Sequence, residues 1–133
     1  MTEGKTTILV VDDEEHVRKL LQRILEDAGY DVLTAGSGQE ALDKLVQSEN
    51  QEPQLILLDI MMPGLNGFQV LERIRRRFDI PVMMLTAKQE VTTVRDALAI
   101  GADDYMRKPF RTTELVARVK AKLRRAGLKQ IEK

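Results

Sequence analysis

The sequence predicts an α/β fold: an open parallel sheet with helices on both faces. Short apolar runs alternate with longer amphipathic stretches five times along the chain. Three of the runs, Ile8–Val11, Leu55–Leu58 and Val82–Leu85, show no polar alternation, the pattern of strands buried on both faces. Each run is followed by a helical pattern, and βα units in succession imply a parallel sheet closed by helical crossovers.

The first strand is expected over Thr6–Val11. Val17, Leu20, Leu21, Ile24, Leu25 and Ala28 then trace one face of a helix that Gly29 ends. Asp31–Ala35 is the second strand. Ser37 and Glu40 have capping-box spacing ahead of a helix marked by Ala41, Leu42, Leu45 and Val46. Leu55–Leu58 is the third strand, and Phe68, Leu71 and Ile74 mark a third helix. Pro81–Leu85 is the fourth strand, followed by a fourth helix on Val91, Val94, Ala97 and Leu98 that Gly101 ends. A weaker run, Asp104–Met106, precedes a fifth helix carrying Leu115, Val116, Val119 and Leu123. One domain spans residues 1–133, with a core over about 6–125 and a tail, a fraying helix end or linker stub, over 126–133.

Composition narrows the function. Of 133 residues, 43% are hydrophobic and 32% charged, which excludes a disordered tail or a fibrous repeat. The 21 basic and 21 acidic residues cancel, so no global field draws the chain to nucleic acid or to an anionic membrane. Without cysteine there is no disulfide, thiol nucleophile or thiolate metal site, and a single histidine, His16, removes multi-histidine zinc sites. The polar N-terminus leads into only a short apolar run, so neither a signal peptide nor a spanning segment is expected, and the cytoplasm is the default address.

In a sheet of this kind, ligands bind beyond the carboxyl ends of the strands. The first strand is followed by Asp12, Asp13 and Glu14. The third ends in Asp59, the fourth in Thr86 and Ala87, and Lys108-Pro109 follows the fifth. The second ends in Ala35 and Gly36, which carry no chemistry. Taken singly, each residue has an ordinary structural reading: Asp12 or Asp13 as a helix cap, Asp59 as the start of a turn, Thr86 as a cap, Lys108 as a solvated cation. The fold, however, brings all four strand ends to one edge. Three carboxylates gathered there repel one another unless a cation sits between them. With no histidine or thiolate nearby, a hard oxygen-seeking ion such as Mg²⁺ suits the donor set. Magnesium with a lysine and a hydroxyl is equipment for gripping phosphoryl oxygens, and an aspartate can itself accept the group as an acyl phosphate. Asp59, alone on its strand end opposite the Asp12–Asp13 pair, is the candidate acceptor.

Four motifs, in this order and spacing, resemble the receiver domain of two-component response regulators. They are Val10-Val11-Asp12-Asp13-Glu14, Leu57-Leu58-Asp59-Ile60-Met61-Met62-Pro63-Gly64, Leu85-Thr86-Ala87 and Gly101-Ala102-Asp103-Asp104-Tyr105-Met106-Arg107-Lys108-Pro109-Phe110. The resemblance runs from about Thr6 to Arg125. It implies a flavodoxin-like (βα)5 doubly wound sheet with strand order 2-1-3-4-5. By resemblance, Asp59 is the phosphoacceptor, fed by the phosphohistidine of a sensor histidine kinase. Asp13, Asp59 and the backbone carbonyl of Met61 hold Mg²⁺ directly, Asp12 acts through a water, and Mn²⁺ can substitute. Lys108 pairs with the phosphoryl group across a cis bond to Pro109. Thr86 is the switch hydroxyl, Ala87 leaves its approach uncrowded, and Tyr105 follows it by changing rotamer. The implied role is a signalling switch that catalyses its own phosphorylation and dephosphorylation, rather than an enzyme acting on other molecules. Its changed surface is built from the fourth helix, fifth strand and fifth helix and controls an output domain or effector. Apolar Met61 offers no side chain to activate water, so slow self-hydrolysis is expected.

Asp103, Asp104, Glu114, Arg118 and Arg125 resemble the branch whose receivers form phosphorylation-dependent homodimers through that surface and precede winged-helix DNA-binding domains. Here Val94 stands where that branch often carries a basic residue to pair with Glu114. Arg95 is one step away, a turn of about 100° around the helix. The basic residues Lys120, Lys122, Arg124 and Arg125 read as a solvated helix end rather than a nucleic-acid contact, and no membrane contact is expected. Two other functions compete with this role: a Mg²⁺-dependent phosphohydrolase with Asp59 as nucleophile, which uses the same residues, and a flavin- or nucleotide-binding module. The first lacks an insertion to form a substrate pocket. The second is disfavoured by the acidic loop after the first strand, which repels a phosphate arriving without metal.

Overall fold

The computed structural model describes residues 6–48, 51–87, 95, 99 and 101–131, of which 128–131 by backbone alone. Five strands, β1 (Thr7–Val11), β2 (Asp31–Ala35), β3 (Leu55–Asp59), β4 (Val82–Thr86) and β5 (Asp104–Arg107), form one parallel sheet in the order β2-β1-β3-β4-β5. The flavodoxin-like order implied by the motifs is thus the observed one. Helices α1 (Glu15–Asp27), α2 (Gly38–Gln47) and α3 (Gly67–Arg77) and a C-terminal helix (Thr112–Ile131) complete the described elements. The expected fourth helix falls on residues that lie largely outside the described ones. Arg95 and Ala99 are helical, and Gly101, which follows, has φ +120°. The C-terminal helix continues through Ile131, so the segment from Ala126 to Ile131 is helical.

Alternation along the strands divides the core into two layers. Leu9, Val11, Ile56, Leu58, Val82 and Met84 point to one face, against Ala41 and Leu45 of α2 and Val70, Leu71 and Ile74 of α3. Ile8, Val10, Leu55, Leu57, Met83, Leu85 and Met106 point to the other, against Leu21 and Leu25 of α1 and Leu115 and Val119 of the C-terminal helix. Every residue of β3 and β4 is buried, which is why these runs carry no polar alternation.

β3 and β4 each extend one residue beyond the expected apolar runs, to Asp59 and Thr86. Asp59 pairs in register with Leu85, and Thr86 with Arg107. Both polar side chains are therefore set by the ladder rather than by a loop.

The helix starts differ from expectation in one respect. Ser37 caps α2 by accepting the Glu40 N–H at 3.1 Å, but the box with Glu40 is only half formed. The Glu40 carboxylate instead accepts the Gly36 N–H at 2.8 Å, while Lys44 pairs with it at 3.3 Å. The complete capping box belongs to α3, where Asn66 and Gln69 exchange both hydrogen bonds. Neither Asp12 nor Asp13 caps α1; Glu14 is its N-cap and makes no side-chain cap bond.

The first residue of α3, Gly67, lies directly against the chain leaving β3. A Cβ there would come within 2.5 Å of the Asp59 carbonyl oxygen and 2.7 Å of the Ile60 Cα. Because both neighbours are backbone, no side chain can move aside. Gly67→Ala is expected to lower stability by about 2 kcal/mol or more, as overpacking does, measured as an earlier midpoint in urea. An unchanged midpoint would show that α3 can shift without cost.

Candidate functional site

The carboxyl ends of β1, β3, β4 and β5 converge on a cluster built around Asp12, Asp13 and Asp59. One carboxylate oxygen from each lies within 4.8 Å of the others. Asp12 is fully buried and Asp59 is 4% exposed, whereas Asp13 is exposed. Asp12 is committed on every side. Its N–H donates to the Ala35 carbonyl at 3.1 Å, its Oδ1 accepts the Glu14 N–H at 2.9 Å, and its Oδ2 accepts from Lys108 Nζ at 2.7 Å. The same ammonium stands 3.5 Å from Asp59 Oδ1. Lys108 is placed by β5, since its N–H donates to the Thr86 carbonyl at 2.8 Å, and its bond to Pro109 is cis.

Burial governs the electrostatics. Desolvation pushes the Asp59 carboxyl up to about 6; the Lys108 charge opposes this, Asp12 and Asp13 add to it, and the Met61 N–H hydrogen bond opposes it. For Lys108, burial works against the ammonium, but the hydrogen bond to Asp12 and the charge of Asp59 outweigh it and hold the group above its ordinary value. Three carboxylates facing one ammonium leave negative charge uncompensated. Their donor atoms are all oxygens, so the cluster fits a hard divalent cation of the Mg²⁺ kind.

The other predicted site residues lie on the strands or in the loops just beyond them. Thr86 is fully buried at the end of β4. Met84 is the register partner of Tyr105, and Thr86 shares the Met84 face, so Thr86 and the half-buried Tyr105 lie on one side of the sheet. Ala87 is exposed immediately beyond Thr86. The Met61 side chain is 51% exposed in the loop after β3. His16 is exposed on α1, 3.8 Å from Glu14, and lies outside the cluster.

The five residues expected on a dimer surface lie on β5, just before it, and on the C-terminal helix. Arg118 bridges Asp104 at 3.2 Å and Glu114 at 3.1 Å within the chain. Asp103 is bound by Arg75 of α3 at 2.9 Å. With Arg125, Asp103 lines a cavity of about 750 Å³ beside Thr6, Gln54 and Asp79, among residues at the opposite ends of the strands. Val94 lies outside the described residues. Reasoning from strand ends also passed over Arg18, whose Nη1 donates to the Asp12 carbonyl at 2.7 Å.

Comparison with known proteins agrees with this geometry. The alkaline phosphatase synthesis transcriptional regulatory protein PhoP of Bacillus subtilis (strain 168) is 52% identical over 122 residues, covering 91% of this chain and 50% of that protein. A probable transcriptional regulator, ycf27 of Porphyra purpurea, is 46% identical over 126 residues, covering 95% and 51%. The chain thus spans about half the length of these curated relatives. Among solved structures, a response regulator receiver domain protein (CheY-like) from Methanospirillum hungatei JF-1 superposes with a TM-score of 0.87 at 31% identity, covering 95% of this chain and 99% of that one. The family model described as the response regulator receiver domain matches residues 8–120. That span takes in the acid cluster, Thr86 and Lys108, and so the chain belongs to the response regulator receiver domains of two-component systems.

Proposed function

We propose that Asp59 accepts a phosphoryl group from the phosphohistidine of a sensor histidine kinase, and that the acyl phosphate switches the surface around β5 to control an output domain or effector. The observation that carries this reading is a buried carboxylate within reach of both an ammonium and two further carboxylates. In the transfer, an Asp59 carboxylate oxygen forms a bond to phosphorus as the phosphorus–nitrogen bond breaks. The electron pair stays on the imidazole, which takes up a proton. Asp13, Asp59 and the Met61 carbonyl would hold Mg²⁺ directly, with Asp12 through a water. Bound there, the ion supplies the positive charge that lets an anionic phosphoryl group approach an anionic carboxylate.

The chain's own residues complete the step. Lys108, held by Asp12, would pair with the arriving phosphoryl oxygens. Thr86 stands at the neighbouring strand end, and Tyr105 occupies the same face. A dianionic group on Asp59 gives the Thr86 hydroxyl and Lys108 a new partner, which biases an existing equilibrium of the Thr86–Ala87 segment and Tyr105. The names of the relatives, both transcriptional regulators about twice the length of the match, support an output domain that acts in transcriptional control. Among the described residues no helix is long and apolar enough to cross a membrane.

Incubation with acetyl phosphate tests the reading. One phosphoryl group is expected by intact mass with Mg²⁺ and none in chelator. Uptake independent of metal, or absent from folded protein together with absent beryllofluoride binding, refutes it. Multiple turnover of a small phosphate ester would favour a phosphohydrolase instead.

A further inference from the structure

The proposed transfer needs Asp13 and Asp59 to face one another at a set separation, yet the two carboxylates are held very differently. Asp59 is buried at the end of a central strand. Asp13 is exposed, and among the described residues no hydrogen bond or ion pair holds its carboxylate. Its position therefore follows from its backbone, which begins at the peptide joining Asp12 to Asp13. The carbonyl of that peptide accepts from Arg18 Nη1 at 2.7 Å, while the Asp12 N–H is held by the Ala35 carbonyl.

Arg18 is half-buried in the first turns of α1, and its guanidinium lies in a slot left by Gly36. A Cβ at position 36 would stand 3.0 Å from Nη1 and 3.3 Å from Cζ. Gly36 is itself pinned, because its N–H donates to Glu40 Oε1 at 2.8 Å, and the Glu40 charge attracts Arg18. Gly36, which carries no chemistry of its own, thus makes room for a side chain that donates to the backbone of the acid loop.

We propose that Arg18 is a positioning residue of the acid site. From its Gly36 slot it fixes the orientation of the Asp12–Asp13 peptide and so aims the exposed Asp13 carboxylate at Asp59. Without that donor the carbonyl turns to water, and Asp13 no longer holds its place in the cluster. The inference rests on the reading of the cluster as a Mg²⁺ site.

Three variants test it. Arg18→Met keeps an apolar stem but removes the donor. Arg18→Lys keeps the charge with a different donor geometry. Gly36→Ala leaves Arg18 in place and crowds its guanidinium. Mg²⁺ binding by calorimetry is compared with the unfolding temperature in chelator. Arg18→Met is expected to weaken Mg²⁺ binding about tenfold or more, the scale on which residues behind metal ligands act. Arg18→Lys is expected to recover part of that loss, and Gly36→Ala to weaken binding in the same direction, with all three folded in chelator. If Arg18→Met and Gly36→Ala bind Mg²⁺ as the parent does, the inference is overturned, even where the unfolding temperature falls, since that pattern describes packing alone. A parent that binds no Mg²⁺ overturns the underlying reading instead.

Discussion

Asp59→Asn is expected to keep its own mass after incubation with acetyl phosphate and Mg²⁺, while melting several degrees above the parent in chelator at neutral pH. The first effect follows because the amide has no carboxylate oxygen to bond to phosphorus. The second follows from burial. The Asp59 carboxyl titrates at about 6, against an ordinary value of 3.8. A raised carboxyl pKa means that the unfolded chain releases its proton first, so native stability falls as pH rises from about 4 to about 6 and stays reduced above that window. Two units correspond to roughly 3 kcal/mol. Asparagine resembles the protonated acid in shape and neutrality, so the variant avoids most of that penalty. A gain on the order of 2 kcal/mol shifts the melting temperature by several degrees in a domain of this size.

The pH dependence separates this cause from a general packing gain. The excess stability of Asp59→Asn in chelator should be full at neutral pH, shrink between about pH 6 and pH 4, and vanish below. A gap that persists near pH 4 would show that relief of a buried charge is not its origin. A variant that still acquires a phosphoryl group would remove Asp59 as acceptor.

The parts of the molecule that were legible in the sequence are those governed by burial period and backbone necessity. β3 and β4 could be read because strands covered on both faces lose polar alternation, and Gly29 because the chain needs a positive φ after α1. The acid cluster could be read because parallel topology forces strand ends onto one edge, whatever the loops do. Side-chain partnerships were harder. Glu40 has capping-box spacing from Ser37, yet Gly36 offers its N–H and Lys44 its charge, and the carboxylate turns to them. The true box at Asn66 and Gln69 has the same spacing just ahead of Val70 and Leu71, and was as legible as the one at Ser37. Arg18 looked like any cation between Val17 and Lys19; its role appears only once Gly36 of the neighbouring strand end is seen to leave space for it. Arg75 is similar, reaching the Gly101 and Ile80 carbonyls at 3.0 and 2.7 Å from the last turn of α3.

Lys108→Met is expected to be the most destabilising change at the site in chelator and the one most strongly rescued by Mg²⁺. The ammonium pairs with the carboxylate of Asp12, which is fully buried, and it also faces Asp59. Removing it leaves Asp12 with one backbone N–H on its carboxylate, and two further carboxylates remain close by. Losing one partner of a buried ion pair costs about 3–5 kcal/mol, because the remaining charge stays desolvated. Mg²⁺ then has more to compensate and no ammonium repelling it, so its affinity should rise relative to the parent. Binding to the native state alone stabilises by RT ln(1 + [L]/Kd), so tighter binding appears directly as a larger melting shift. Melting the parent and Lys108→Met in chelator and across a Mg²⁺ series distinguishes the cases. The variant should start far lower and close much of the difference at saturating metal. Equal Mg²⁺-induced shifts in the two proteins would mean that the lysine and the cation do not share the same carboxylates, and the acid cluster would then have to be read without a metal.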